Sequence, residues 1–285
     1  MIPHSELKLF RYGDNWVTCG DIQKALKDVE AADCDILFLH TELSFGVKNP
    51  EIKRKELCQI LYSLFAELNV NTLVFPTFTF SYSNREDFDV VNSPSKMGML
   101  NEYVRSLPEA RRSLDPMMSV VVIGKNKALL NVTGSNSIGN GSIFDNLHNT
   151  PNVKFLFFGT KLGNCGTHMH YVEEQLNVPY RYNMDFYGKM IDYEGNITDE
   201  HRVLFVKYRD VLPSVPQSFE DELIESNMMK YCKLGKTGIY TISEDDMYSS
   251  IYKHLADNVN AFLAEPYDTH PLVKEYSYGN VTTVQ

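Results

Sequence analysis

His170, Glu173 and Glu174 stand at i, i+3 and i+4. On a helix that spacing sets at least one carboxylate on the same face as the imidazole. A helix N-terminus disfavours positive charge, so a histidine there has a lowered pKa. A neighbouring carboxylate acts the other way and can fix the tautomer by accepting the Nδ1 proton. Together these features describe a general base held neutral near pH 7. Spacing alone also fits a plain helix start with incidental histidines and solvated glutamates.

The other reactive residue types nearby are less well equipped. His168 and His170 are alternate residues, which point apart on a helix. No third ligand has an obvious spacing, so no metal is expected. Cys165 would be a nucleophile only with an activating partner. Gly134-Ser-Asn-Ser-Ile-Gly139 misses the G-x-S-x-G elbow, because Ser135 stands where the first Gly belongs. Ser137 is therefore a weak hydrolase nucleophile. Gly235-Lys-Thr237 resembles the end of a P-loop, but Lys230 occupies the leading Gly position.

These residues need elements to position them. Val153-Lys-Phe-Leu-Phe-Phe158 reads as a buried strand, followed by Gly159, Gly163 and Gly166. Thr167 is expected to N-cap a helix from His168 that Pro179 ends. Cys34–His40 and Thr72–Phe75 read as further strands, and Glu51–Asn69 as an amphipathic helix. Asp21 is expected to cap a helix running to about Glu30, and Met97–Leu107, Phe219–Met229 and Asp245–Leu263 are expected helical. Tyr180–Tyr187 and His201–Tyr208 read as strands around the turn at Tyr193–Asn196, and Gly235–Ile242 as a turn and strand. Alternating strands and helices argue for an α/β fold, three-layer α/β/α around a mixed central sheet. Residues 1–285 are expected to form a single large domain, with 266–285 a loose tail. The loops after strands, at 40–46, 76–81 and 159–167, carry the residues of interest, as ligand sites in open α/β sheets usually do.

Composition narrows the partners. The formal net charge is −10, and residues 185–285 hold 17 acids against 9 bases. Nucleic acid is excluded as a partner by that balance. An acidic C-terminal third suits a cationic or amine-bearing substrate. No apolar run approaches the roughly 18 residues of a membrane span, and the first residues lack a signal-peptide pattern. Five cysteines without a C-x-x-C pair read as reduced thiols in a cytoplasmic protein.

Six blocks, in order, carry a resemblance. Thr167-x-x-His170-x-x-Glu173-Glu174 with Val178-Pro179 is the strongest. His40-Thr41-x-x-Ser44-x-Gly46, Pro76-Thr-Phe-Thr79, Arg111-Arg-Ser-Leu-Asp-Pro116-x-x-Ser119, Gly139-x-Gly-Ser142 and Gly235-Lys-Thr-Gly238 accompany it. With them the chain resembles the aminoglycoside 3-N-acetyltransferase family, coenzyme-A-dependent N-acyltransferases with an α/β fold. The resemblance implies acetyl-CoA, or another acyl-CoA, as co-substrate. It implies His170 as general base, with Glu173 or Glu174 orienting it. His40, Thr41, Ser44, Phe45 and Gly46 are expected at the cofactor, joined by Thr77, Thr79, Arg111 and Ser113. Tyr82, Asp115 and Glu174 are expected on the acceptor side. Lys48 and Lys53–Lys55 are candidates for the nucleotide phosphates. Asp115 departs from the family, whose antibiotic-modifying members usually carry His there. An amino sugar is the expected acceptor, nucleotide-linked for a surface polysaccharide or, as the alternative, an aminoglycoside antibiotic. A Ser or Cys hydrolase and a non-catalytic coenzyme A- or glycan-binding protein are the rivals. A homodimer is the expected assembly.

Overall fold

The computed structural model describes residues 4–278 and 281–284. Two short strands, β1 (Lys8–Tyr12) and β2 (Asn15–Thr18), precede helix α1 (Cys19–Asp28). There follow β3 (Ile36–Thr41), β4 (Val47–Lys48), α2 (Arg54–Ala66), β5 (Thr72–Pro76), β6 (Phe88–Asp89), α3 (Met99–Arg105), β7 (Arg111–Arg112) and β8 (Val120–Gly124). The second half holds α4 (Ile143–His148), β9 (Val153–Phe158), α5 (Leu162–Cys165) and α6 (His168–Gln175). Then come the long hairpin β10 (Arg181–Ile191) and β11 (Ile197–Lys207), α7 (Gln217–Glu225), β12 (Met229–Leu234), β13 (Thr237–Ser243) and α8 (Glu244–Asp257). A final hairpin pairs β14 (Glu275–Tyr278) with β15 (Val281–Val284).

The central sheet has seven strands in the order β12-β13-β9-β3-β5-β8-β7. It is mixed: β9, β3 and β5 run parallel, while the remaining pairings are antiparallel. Side chains alternate across a strand, and both faces of this sheet are apolar. Ile36 and Phe38 of β3 join Phe155 and Phe157 of β9 in one core, which α4, α6, α8 and the β10–β11 hairpin cover. Leu37 and Leu39 join Leu156 and Phe158 in a second core under α1, α2 and α3. Burying each such side chain contributes about 1.5–3 kcal/mol. The α/β architecture expected from the sequence is the one observed.

Several local boundaries differ from expectation. Thr18 starts α1, with its hydroxyl accepting from the Asp21 N–H at 3.2 Å and the Asp21 carboxylate accepting from the Thr18 N–H at 2.8 Å. Asp21 thus closes a capping box from inside the helix and does not cap it. Thr167 likewise does not cap α6, since its hydroxyl donates to the Cys165 carbonyl at 3.3 Å. Glu225 ends α7, and Met229 opens β12.

Candidate active site

Strand alternation decides what each residue of the β3 end can reach. His40 shares a face with Ile36 and Phe38, and it lines a cavity of about 570 Å³. Thr41 points to the opposite face, where its hydroxyl donates to Asn101 at 2.6 Å. The loop beyond is held against β9 by Glu42 N–H donating to the Phe158 carbonyl at 2.8 Å. Gly159 is required at that junction. Its φ is +77°, and a Cβ there would lie 1.9 Å from the Glu42 carbonyl oxygen.

From Gly159 the chain passes through α5 into α6, which sends its histidines in two directions. His168 is fully buried, and its Nε2 meets Glu244 Oε1 at 2.6 Å. His148 Nδ1 reaches the same oxygen at 2.8 Å. This trio supplies the third partner that spacing did not reveal. Both histidine contacts to Glu244 are hydrogen-bond distances, shorter than the roughly 3.3 Å between tetrahedral metal ligands with bonds of about 2.0–2.1 Å.

His170 instead lines the cavity, with its side chain 38% exposed. Its Nδ1 lies 2.6 Å from Glu173 Oε2. Glu173 is buried and holds three partners. Tyr180 donates to its Oε1 at 2.9 Å, and the Arg181 Nε stands 2.8 Å from Oε2. Arg181 Nε does not meet the angular requirement of a hydrogen bond, so this contact is an ion pair only. Arg181 Nη2 also lies 2.9 Å from His170 Nδ1. A guanidinium has donors alone, so Nδ1 either donates to Glu173 or accepts from Arg181. The shorter, charge-assisted contact with Glu173 selects the Nδ1–H tautomer, which leaves Nε2 with a free lone pair.

Burial is the main cause that lowers the His170 pKa, followed by the Arg181 charge, against the pull of Glu173. Burial works to raise the Glu173 carboxyl, but Arg181, His170 and Tyr180 together hold it below the usual glutamate range. Glu174 points away from this cluster, toward Asn136 and Gly139, and burial raises its pKa.

The remaining expected site residues do not line the cavity. Phe45 packs in the second core between Phe10 and Phe158, and the half-buried Ser44 donates its hydroxyl to Glu42 at 2.7 Å. Gly46 sits against the Arg11 carbonyl. Thr77 and Thr79 donate to the Ser119 and Pro116 carbonyls. Ser113 accepts from the Val120 N–H, and Arg111 lies over the Tyr193 ring at 5.2 Å. Tyr82 is buried against Gly188. Asp115 accepts from the Met117 and Met118 N–H groups at 2.8 Å and from the Ser137 hydroxyl at 3.0 Å. These contacts, all to Oδ1, close a turn.

Both hydrolase candidates lose their chemistry to these contacts. Ser137 is buried and donates its hydroxyl to the Asp115 carboxylate, which takes the place an activating imidazole would need. Cys165 does line the cavity, but burial raises its pKa to about 12, so it is a thiol at neutral pH. Sequence reasoning missed Arg181 and Tyr180, which follow Pro179 directly and begin the long hairpin. It also missed Glu244, 76 residues from its partner His168.

A family model described as aminoglycoside 3-N-acetyltransferase matches residues 56–256, most of the chain. The chain belongs to this family. Membership makes the protein an acyl-CoA-dependent N-acyltransferase with acetyl-CoA as co-substrate. Solved structures repeat the fold at low identity. The YokD protein from Bacillus subtilis superposes with a TM-score of 0.68 at 19% identity, covering 89% of this chain and 96% of its own. Aminoglycoside acetyltransferase AAC(3)-IIb gives 0.68 at 19% identity, covering 87% and 98%. AAC-IIIb, solved as a binary complex with CoASH, gives 0.67 at 15% identity, covering 87% and 98%. No curated protein matches the sequence. Among the described residues, no helix is long and apolar enough to cross a membrane.

Proposed function

We propose that this family member transfers the acetyl group of acetyl-CoA to the primary amine of a small molecule in the cavity beside His170. The observation that carries the reading is the buried Glu173, which fixes the proton of His170 on Nδ1 and leaves Nε2 open at the cavity wall. In the reaction the amine nitrogen attacks the thioester carbonyl, the N–C bond forms and the C–S bond breaks. The proton lost by the amine goes to His170 Nε2 and from there to the leaving thiolate of coenzyme A. Glu173 stabilises the imidazolium in between. The family description favours an aminoglycoside-type amino sugar as acceptor over a nucleotide-linked sugar.

The test compares His170→Ala with His168→Ala. Loss of a general base lowers turnover about 10²–10⁴-fold, while acetyl-CoA binding and melting temperature stay near wild type. His168→Ala should instead lower the melting temperature, because it leaves Glu244 with one partner fewer in the core. If His168→Ala is the variant that folds but does not turn over, the base is misassigned. If acetyl-CoA does not bind the wild type in calorimetry, the reading as a whole fails.

A further inference from the structure

His40 is the second-last residue of β3 and lines the same cavity as His170. Its side chain is almost wholly enclosed, with 4% of the residue exposed. The imidazole stacks on Phe157, its cross-strand partner, with ring centroids 5.2 Å apart and planes within 5° of parallel. The Phe38 ring stands 4.9 Å away. Strand pairing and the two aromatic rings therefore hold the imidazole in one orientation.

A buried polar atom ordinarily has a partner. Among the described residues His40 Nε2 has none, and it is shut off from solvent. A phenylalanine ring would fill much the same space without that cost. With Nε2 sealed inside, Nδ1 is the nitrogen that a bound group can reach. Orphaned buried N–H groups are rarer than orphaned acceptors, which places the proton on Nδ1. Burial, with His168 nearby, pushes the His40 pKa down to about 3, so the ring is neutral wherever the enzyme is folded and active. An uncharged imidazole N–H can still polarise a carbonyl. The two cations of the cavity wall are committed elsewhere. Arg181 pairs with Glu173 and donates to the Phe205 carbonyl at 3.2 Å. Lys207 donates to the Arg209 and Val211 carbonyls at 3.0 and 2.8 Å.

We propose that His40 is a second catalytic residue, whose Nδ1–H donates to the thioester carbonyl oxygen of acetyl-CoA and holds the oxyanion formed as the amine attacks. This rests on the N-acetylation reading and adds to it the group that receives the negative charge. The carbonyl electron pair moves onto oxygen as the N–C bond forms, and it returns as the C–S bond breaks. The amine proton travels through His170 to the thiolate, so His40 keeps its own proton throughout. A donor fixed between rings and away from water needs no reorganisation when the charge develops.

Isotope-edited infrared spectroscopy reads this contact directly, with acetyl-CoA labelled at the carbonyl carbon and bound to wild type, His40→Phe and His40→Asn. Phenylalanine keeps a ring and removes the donor, whereas asparagine puts an amide N–H at the Nδ1 position. Melting temperatures establish that each variant is folded. The thioester band should lie at lower wavenumber in wild type and His40→Asn than in His40→Phe. With sisomicin as acceptor, kcat should fall about 10²–10³-fold in His40→Phe and recover at least about tenfold in His40→Asn, with the acetyl-CoA KM within about threefold. An identical band in wild type and His40→Phe overturns the proposal, as does full turnover by a folded His40→Phe. A folded His40→Asn as inactive as His40→Phe overturns the assignment to Nδ1. Weaker binding of acetyl-CoA and free coenzyme A alike, with kcat unchanged, would make His40 a packing residue and overturns it too. Failure of the wild type to bind acetyl-CoA sinks the N-acetylation reading itself.

Discussion

His170 sits between an anion and a cation, and the balance between them sets where activity begins. Protonating the ring would put imidazolium 2.9 Å from the Arg181 guanidinium in a partly buried wall, and burial and Arg181 outweigh Glu173. The folded pKa therefore lies below the ordinary histidine value of about 6.5. A base must be neutral to act, so the acid limb of kcat/KM against pH should fall below about 6.5. Arg181→Gln removes the second cause of the lowering, and the limb should then move to higher pH. A limb that moves down, or does not move, would show that Arg181 does not set this pKa. Cys165 gives a complementary prediction. Its thiol is held protonated by burial, so mass spectrometry after mixing with acetyl-CoA should find no adduct, and Cys165→Ala should retain turnover within a few fold. An acetylated Cys165 would require a covalent route. At this scale the sequence was legible in type and not in detail. Spacing offered Glu173 and Glu174 alike, because both i+3 and i+4 neighbour an imidazole. Tyr180 and Arg181, which choose between them, are contacts made by the turn into β10.

The elements that were read correctly share one physical trait. β3, β5 and β9 are buried on both faces, so they appear as unbroken apolar runs. β1 and β2 escaped notice because Lys8, Arg11, Asn15 and Thr18 interrupt their short apolar runs. β10 and β11 run to eleven residues each, longer than expected: the outer half of β11 is polar, Gly188 and Lys189 interrupt the apolar run of β10, and the register of the hairpin carries both strands on. His40 and Thr41 show the same limit. The motif placed both at the cofactor, while a strand sends neighbours to opposite faces. The junction of β9 with the β3 loop is the element most sensitive to a single atom. Gly159→Ala places a methyl 1.9 Å from the Glu42 carbonyl oxygen at positive φ. The loops would have to separate, at a cost of at least about 1–3 kcal/mol from backbone strain alone. Denaturant melts of the variant should show that loss, with acetylation falling too as α6 shifts. A variant as stable as wild type would mean that the junction is not fixed by close approach.

Across the molecule, buried neutral histidines make stability a function of pH. His40, at the cavity wall, and His168 are buried against the first core, and burial lowers both, His40 to about 3. In the unfolded chain each titrates near 6.5. As pH falls below that value the unfolded state takes up protons that the folded state refuses, so stability is lost on acidification. Between that value and its folded pKa of about 3, His40 contributes about 1.4 kcal/mol per pH unit, and His168 acts in the same sense. His170 adds in the same sense but less, because its ring is partly exposed. Glu173 and Glu244 are held below the usual glutamate range, so their stabilisation is intact above the unfolded glutamate value and is lost only below about 4.5. The window from pH 6.5 to 4.5 therefore belongs to the histidines. One effect opposes them: the chain carries a formal net charge of −10, and acidification relieves its self-repulsion. That relief is spread over the surface and screened beyond about 8 Å at physiological ionic strength, whereas the histidine cost is local and unscreened. Calorimetric melts at 0.15 M salt should thus show little change from pH 7.5 to 6.5, then a steep fall toward pH 5. His40→Phe, which keeps the ring against Phe157, should flatten the fall by one titrating group. A melting temperature that holds or rises between pH 6.5 and 5 would mean that these histidines charge inside the folded protein, and that the core around β3 and α6 admits water.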